Sequence, residues 1–261
     1  MRYAQHLLAR IAAIRSPLCV GLDPRPDLLR EPMDDFLRRV VEETAPYAAA
    51  FKPNLAYFEA LGSKGLASLE RLMEWRPKDV PFILDGKRGD IPETMKYYAQ
   101  ACYDAWGADA VTLHAYMGFD PLAPFLDRPG RGVYLLAVTS NPGAADVALQ
   151  PSASGQVFEH VTAMHARAAG RPADVGFVAG LTNVSPDVLA RIPDAPLLVP
   201  GLGAQGGQVS ALDAARRKAP ILINASRSIL YDAPEKSFAE KARAAVESIL
   251  SSLPIPTPTT P

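Results

Sequence analysis

The sequence has few cysteines, almost no net charge and no long apolar segment. Cys19 and Cys102 are its 2 cysteines, and they form neither a CxxC pair nor a Cys/His cluster, so neither a disulfide framework nor a zinc site is indicated. The formal net charge of -1 predicts no patch basic enough to bind nucleic acid or an anionic membrane. Any anionic ligand must therefore be held by a few local groups.

The distribution of apolar residues also shows no targeting signal and no membrane-spanning segment. No stretch approaches the roughly 18 consecutive apolar residues that indicate a transmembrane helix. The N-terminal segment MRYAQHLLARIAAIRS mixes polar and apolar residues at helical spacing. It lacks the continuous apolar run and the small-residue cleavage site of a signal peptide. The sequence therefore predicts a cytoplasmic protein.

Eight short apolar or β-branched runs recur along the chain, each followed by a turn and a stretch of helical periodicity. They lie at 18–23, 49–54, 81–87, 110–116, 132–139, 175–182, 195–202 and 219–226. Runs that are apolar on both faces are typical of parallel strands covered by helices, and eight of them predict a (β/α)8 TIM barrel. An open doubly wound sheet is the alternative. We expect one domain, residues 1–253, followed by a disordered Pro/Thr-rich tail at 254–261.

In such a barrel the loops after the strands build the active site, so polar residues at the strand ends are candidate site residues. They are Asp23, Lys52, Asn54, Asp85, Lys87, His114, Ser140, Asn141, Thr182 and Asn183, followed by the loop PGLGAQGGQ and the final NASRS. Polar groups at so many strand ends predict one polar pocket. His114 is interpreted as a packing residue and is left out of the catalytic set.

The segment LDGKRGD ends the third run with two carboxylates and two bases. Asp85 and Lys87 are two apart in a strand and so point to the same side, with Gly86 between them. A rim ion pair would also explain these two residues, and Asp90 fits a helix N-cap with a capping box. Lys52, at the end of the neighbouring run, weakens both alternatives because an array of buried charges is costly unless every charge is paired. Such an array can hold a lysine protonated and aimed at one point, as a general acid requires.

An anion site is predicted after the last two strands. The Gly-rich loop VPGLGAQGGQ leads into a helix, so its backbone can approach an anion closely. Arg227 follows the eighth run and can supply a bidentate guanidinium. Together they predict a phosphate site, with a solvated rim arginine as the alternative.

Several stretches, in this order along the chain, resemble the orotidine 5'-phosphate decarboxylase family, in particular a bacterial subgroup similar to its type 2 members. They are CVGLDP, FKPNLAYFE, ILDGKRGDIPET, VTLHAY, VTSNPGA, PGLGAQGG and NASRSILY. The resemblance implies a TIM barrel that converts orotidine 5'-phosphate to UMP in pyrimidine nucleotide synthesis, with no metal and no other cofactor. It also implies a homodimer.

The resemblance further implies a catalytic set and a substrate-binding set. The catalytic residues would be Lys52, Asp85, Lys87 and Asp90. Lys87 would donate a proton to C6 of the pyrimidine. The binding residues would be Asp23 and Lys52 at the ribose, Ile91 and Thr94 along the site, Ser140 at the pyrimidine, and Gln205 and Arg227 at the 5'-phosphate. Asp90, Ile91 and Thr94 would come from the partner subunit.

Three alternatives stay open. The nearest is a Mg-dependent sugar-phosphate decarboxylase or synthase of the same barrel superfamily, in which carboxylates hold the metal and stabilise an enediolate. Asp23 is matched with Lys52 rather than with a second acidic ligand, which argues against a metal. The others are a Schiff-base aldolase that uses Lys87 and a non-catalytic barrel that binds a nucleotide. A non-catalytic barrel has no need for a proton donor and its network.

Overall fold

The computed structural model describes residues 1–182, 184–201, 212 and 217–253, and its main feature is a nearly closed barrel of eight parallel strands. The barrel strands are β1 Leu18–Leu22, β2 Ala50–Pro53, β3 Ile83–Arg88, β4 Ala110–Leu113, β5 Gly132–Val138, β8 Asp174–Ala179, β9 Leu197–Pro200 and β10 Ile221–Ala225. They pair in the order β2-β1-β10-β9-β8-β5-β4-β3, and parallel bridges Phe51–Phe82 and Asn54–Asp85 join β2 to β3. The predicted (β/α)8 barrel is confirmed, and every predicted run overlaps one strand.

Helices follow the strands and cover the outside of the barrel. They are α1 Tyr3–Ile14, α2 Met33–Thr44, α3 Leu55–Glu59, α4 Gly62–Trp75, α5 Pro92–Ala99, α6 Ala123–Leu126, α7 Val157–Thr162, α8 Met164–Arg167, α9 Pro186–Ala190, α10 Arg227–Leu230 and α11 Phe238–Ser252. Two short antiparallel strands that were not predicted, β6 Pro151–Ser152 and β7 Gly155–Gln156, form a separate hairpin. No helix of the described residues is long and apolar enough to cross a membrane. The predicted tail, 254–261, lies outside the described residues.

The core is divided into two clusters because successive residues of a strand face opposite sides of the sheet. In β10, Ile221 and Ile223 belong to the outer cluster that packs against the helices, whereas Leu222 belongs to the inner one. Each barrel strand contributes one residue to the inner cluster: Cys19, Ala50, Ile83, Ala110, Tyr134, Val178, Leu198 and Leu222. Inward positions two residues further along β2, β3 and β4 therefore lie above this apolar layer, and they are Lys52, Asp85 and Thr112.

The N-terminal helix closes the opposite end of the barrel. Tyr3, Leu7 and Ile11 of α1 pack into the inner cluster, and the Tyr3 and Tyr134 hydroxyl oxygens are 3.2 Å apart. Asp174 accepts hydrogen bonds from the Ala4 backbone N–H and from the Arg2 guanidinium, which fixes the start of the helix. The barrel interior is therefore apolar and filled at this end, and its polar groups lie at the carboxyl ends of the strands.

Candidate active site

A cavity of about 230 Å³ lies at the carboxyl ends of the strands, directly above the inner apolar cluster. Its polar lining residues are Lys52, Asp85, Lys87, Thr112, Thr139, Ser140 and Asn141, and its apolar lining residues are Leu136, Val178, Leu198 and Pro200. The cavity thus has charged groups from β2 and β3 on one side and apolar side chains from β8 and β9 on another. A mostly apolar wall with a few placed polar groups is typical of a small-molecule site.

Lys52, Asp85 and Lys87 form a continuous chain of ion pairs in this cavity. Asp85 Oδ2 accepts a hydrogen bond from Lys52 Nζ at 2.9 Å, and Asp85 Oδ1 accepts one from Lys87 Nζ at 2.6 Å. Lys52 and Asp85 are only 5% and 7% exposed, whereas the Lys87 side chain is 47% exposed. The buried pair therefore anchors the network, and the Lys87 ammonium is its accessible end.

The buried members of the network are held in their charged forms. Burial alone would raise the pKa of the Asp85 carboxyl, but the charges of Lys52 and Lys87 outweigh it and lower that pKa well below its usual range. Burial would likewise lower the pKa of Lys52, but Asp85 and Asp23 outweigh it and raise the pKa above its usual value. Lys52 and Asp85 therefore carry opposite charges at neutral pH.

The Asp85 shift predicts a pH-dependent contribution to stability. A folded pKa below the unfolded value of about 3.9 means that the ionised carboxylate stabilises the fold above that pH and that its contribution is lost as the pH falls further. We expect Asp85→Asn to lower the free energy of unfolding by about 3 kcal/mol at pH 7, because Lys52 stays buried without its partner. This deficit should shrink by about 1 kcal/mol at pH 3.

Urea unfolding of both proteins at pH 7 and pH 3 measures this difference. Asp27→Asn is the control, since Asp27 is exposed and its replacement should change stability by less than about 0.5 kcal/mol. A deficit for Asp85→Asn that is the same at both pH values would contradict the assigned role of the carboxylate charge.

Thr112 also belongs to the network, although its side chain was not identified in the sequence as a candidate. It is buried, its Oγ1 donates to Asp85 Oδ1 at 2.8 Å, and the same oxygen accepts from the Lys87 backbone N–H at 3.0 Å. The available signal was its place two residues after the inward-facing Ala110 on a predicted strand.

Asp23 lies at the end of β1, next to the end of β10. Its Oδ2 accepts from Ser226 Oγ at 2.5 Å, and its backbone carbonyl accepts from Tyr231 Oη at 2.9 Å. Asp23 Oδ1 is buried and has no hydrogen-bond partner among the described residues. Gly21 permits this arrangement, because a Cβ there would lie 2.7 Å from Ser226 Cβ. Asp23 is therefore held in place with one acceptor oxygen available, as a hydroxyl-binding group would be.

The structure does not support a capping role for Asp90. Helix α5 begins at Pro92, its N-cap is Ile91, and no side chain makes the capping hydrogen bond. Asp90 Oδ1 accepts instead from the neighbouring Ile91 N–H at 2.7 Å, and Glu93 pairs with Lys96. The helix begins one residue later than a cap at Asp90 requires, so the capping interpretation is wrong.

Asp90 also makes no ion pair with any described residue of its own chain. It is partly exposed, as is Thr94, while Ile91 is 51% exposed. Gly89, just before it, lies against His114, because a Cβ on Gly89 would be 2.2 Å from His114 Cε1. The loop after β3 therefore packs on the His114 ring.

The remaining predicted residues occupy the rim. Ser140 lines the cavity, and Gly180 allows this approach because a Cβ there would be 2.4 Å from the Ser140 backbone nitrogen. Arg227 is the first residue of α10 and is separated from β10 by Ser226; it is exposed and pairs with no described carboxylate. Gln205 and most of its Gly-rich loop, 202–211, lie outside the described residues.

The donor set of the cavity does not suit a divalent cation. No group of three or more His, Cys, Asp or Glu side chains in the described ranges is placed to hold a metal ion. Asp85, the carboxylate that lines the cavity, already has a lysine on each of its oxygens. Hard divalent cations bind several oxygen ligands, and two ammonium groups at this position would repel them.

Comparison with known proteins identifies similar sequences and folds over nearly the whole chain. The model of a family described as Orotidine 5'-phosphate decarboxylase / HUMPS family matches residues 16–242. A protein of Verminephrobacter eiseniae named orotidine 5'-phosphate decarboxylase is 43% identical over 264 residues, covering 94% of this chain and 95% of that protein. One of the same name from Herpetosiphon aurantiacus is 39% identical over 260 residues, covering 95% and 96%. The solved Leishmania donovani OMP decarboxylase has a TM-score of 0.84 and 34% identity, covering 98% of this chain and 100% of that one.

Proposed function

Because the chain belongs to the orotidine 5'-phosphate decarboxylase / HUMPS family, we propose that it converts orotidine 5'-phosphate to UMP and carbon dioxide. This would be the last step of de novo pyrimidine nucleotide synthesis, and a cytoplasmic one, since the substrate is a phosphorylated nucleotide. The observation that carries the proposal is the Lys52–Asp85–Lys87 chain of ion pairs, which presents one ammonium to the cavity.

The chemistry requires a cation beside C6 of the pyrimidine. When the bond between C6 and the carboxylate breaks, its electron pair stays on C6, where no neighbouring group can accept it. A preorganised positive charge in a cavity of low dielectric is then the effective way to stabilise the transition state. Lys87 would supply that charge and then transfer a proton from Nζ to C6, which gives UMP. Its neutral amine would regain a proton from solvent.

Groups far from C6 would hold the rest of the nucleotide. We assign the ribose hydroxyls to Asp23 and Lys52, the pyrimidine edge to Ser140, and the 5'-phosphate to Gln205 and Arg227. The open oxygen of Asp23 and the exposed guanidinium of Arg227 support these assignments. Binding energy from such contacts can offset the cost of orienting the ring against the charged network.

A homodimer would complete the network. Asp90 makes no ion pair within its own chain among the described residues, and four large apolar residues of the segments that follow β3 and β4 are exposed: Ile91, Tyr97, Tyr116 and Met117. Large exposed apolar side chains are the kind of surface that a protein interface buries. In the dimer we propose, Asp90, Ile91 and Thr94 of each subunit would reach the other subunit's cavity, and Asp90 would pair with Lys87 there.

Arg227→Ala tests the phosphate assignment. We expect kcat/KM for orotidine 5'-phosphate to fall by about 10- to 100-fold, the cost of losing charge-assisted hydrogen bonds to an anion. The control is Arg243→Ala, which removes an exposed arginine from α11. Initial rates at subsaturating substrate give both values. Equal values for the two variants would remove Arg227 from the site.

Product analysis tests the reaction itself. Incubation of the purified chain with orotidine 5'-phosphate labelled at the carboxyl carbon should release labelled carbon dioxide and UMP in equal amounts. Borohydride added during turnover should trap no covalent adduct, whereas a Schiff-base aldolase would form one on Lys87. Absence of UMP would overturn the proposed function.

A further inference from the structure

We infer that Thr112 is a positioning residue for the proton donor: its hydroxyl holds the Lys87 backbone in an unusual conformation and fixes the carboxylate to which the Lys87 ammonium is bound. The inference rests on the proposed function for its catalytic consequence. The claim that Thr112 orients Lys87 and Asp85 depends only on contacts between β3 and β4.

The pairing of β3 with β4 is irregular where Lys87 lies. Ile83 and Leu84 pair with Ala110 and Val111, but the next pair is Arg88 with Leu113. Between these pairs β3 advances from 84 to 88 while β4 advances only from 111 to 113. Three residues of β3, 85 to 87, therefore lie opposite Thr112. Bulges of this kind redirect a side chain and are common beside active sites.

Lys87 has the backbone conformation that this irregularity demands. Its φ is 44°, in the left-handed region that residues other than glycine seldom adopt, and only Arg15 and Ala233 share a positive φ among the described non-glycine residues. The Lys87 N–H donates to a side-chain acceptor of β4, Thr112 Oγ1, at 3.0 Å. The threonine hydroxyl thus serves as an acceptor for a main-chain N–H within the irregular stretch of β3.

The same hydroxyl also orients Asp85. A hydroxyl carries one hydrogen, and here that hydrogen is directed to Asp85 Oδ1 at 2.8 Å, because the Lys87 N–H can only donate. Lys87 Nζ binds this same carboxylate oxygen at 2.6 Å, and Lys52 Nζ binds the other. Thr112 therefore contacts both the main chain of the proton donor and the partner of its side chain. Without the hydroxyl, the carboxylate can rotate and the strained backbone loses its acceptor.

Thr112→Val keeps the shape of the side chain and removes the hydroxyl. We expect kcat for orotidine 5'-phosphate to fall by about 10- to 100-fold, while KM stays within about twofold because substrate contacts are retained. Thr112→Ser restores the hydroxyl and should recover most of kcat. Thr44→Val is the matched control, because buried Thr44 also donates a hydrogen bond, to the Val40 carbonyl of α2, but does not line the cavity.

A merely structural role predicts different results. Thr112→Val and Thr44→Val would then both lower the melting temperature and leave the kcat of the folded protein unchanged, which would overturn the inference. A crystal structure of Thr112→Val supplies a readout besides activity: we expect Lys87 to leave the left-handed region or its Nζ to leave Asp85, and unchanged geometry would also overturn the inference. If the unmodified protein made no UMP, the proposed function would fail, but this structural comparison would still decide the positioning role.

Discussion

Replacing Lys87 with alanine is expected to reduce kcat for orotidine 5'-phosphate by at least about 10⁴-fold. General acid catalysis contributes about 10²- to 10⁴-fold, and preorganised charge at the reacting atom contributes a further 10²- to 10³-fold. Lys87 would supply both, because its ammonium is the accessible end of the buried network. In the variant, Asp85 would keep only Lys52 as a cationic partner. Its negative charge would then repel the carboxylate of the bound substrate more strongly.

Steady-state rates of the variant and of the unmodified protein measure this effect. Lys96→Ala is the control, because Lys96 is an exposed lysine on α5 paired with Glu93. Its kcat should stay within about twofold of the unmodified value. A Lys87→Ala enzyme that retained a tenth of the activity would show that another group protonates C6.

Mixing inactive Lys87→Ala and Asp90→Ala subunits is expected to restore activity. If Asp90 acts in the partner's cavity, a heterodimer of the two variants has one cavity with both residues intact and one with neither. Random exchange in a symmetric dimer makes about half of the molecules heterodimers, so about one quarter of all cavities become active. Each variant alone should be at background, since every cavity then lacks one charged group of the network.

A second mixture provides the matched control. Asp85 and Lys87 are bonded within one chain, so a heterodimer of Asp85→Asn and Lys87→Ala subunits has a defect in both of its cavities. The activity of this mixture should stay near the sum of the activities of the two variants measured alone. Failure of the first mixture to exceed the second, after exchange has been verified by mass, would place Asp90 outside the partner's cavity.

The barrel and part of the site follow from local patterns in the sequence. Apolar runs at regular spacing predict the strands, because parallel strands covered on both sides need apolar residues throughout. The period of two along a strand then places Asp85 on the same side as the inward residues before it, and the carboxyl end of β2 brings Lys52 to within 2.9 Å of it. The proximity of these two residues follows from the fold class together with their positions at the ends of neighbouring strands.

Other features depend on details that a local pattern does not contain. The irregular pairing of β3 with β4 gives Lys87 its conformation and gives Thr112 its role, and this register is set by contacts between segments that are distant in sequence. Asp90 illustrates the opposite error, since its local pattern suits a helix cap while the helix begins at Pro92. Packing of Gly89 against His114 competes with that cap and is a tertiary contact.

The most direct measurement is the rate at which the purified chain consumes orotidine 5'-phosphate, followed by ultraviolet absorbance with and without EDTA. We expect rapid conversion to UMP that EDTA does not change, because the reaction depends on the Lys87 ammonium. Conversion that EDTA abolishes and magnesium restores would contradict it, and would indicate a metal-dependent barrel instead.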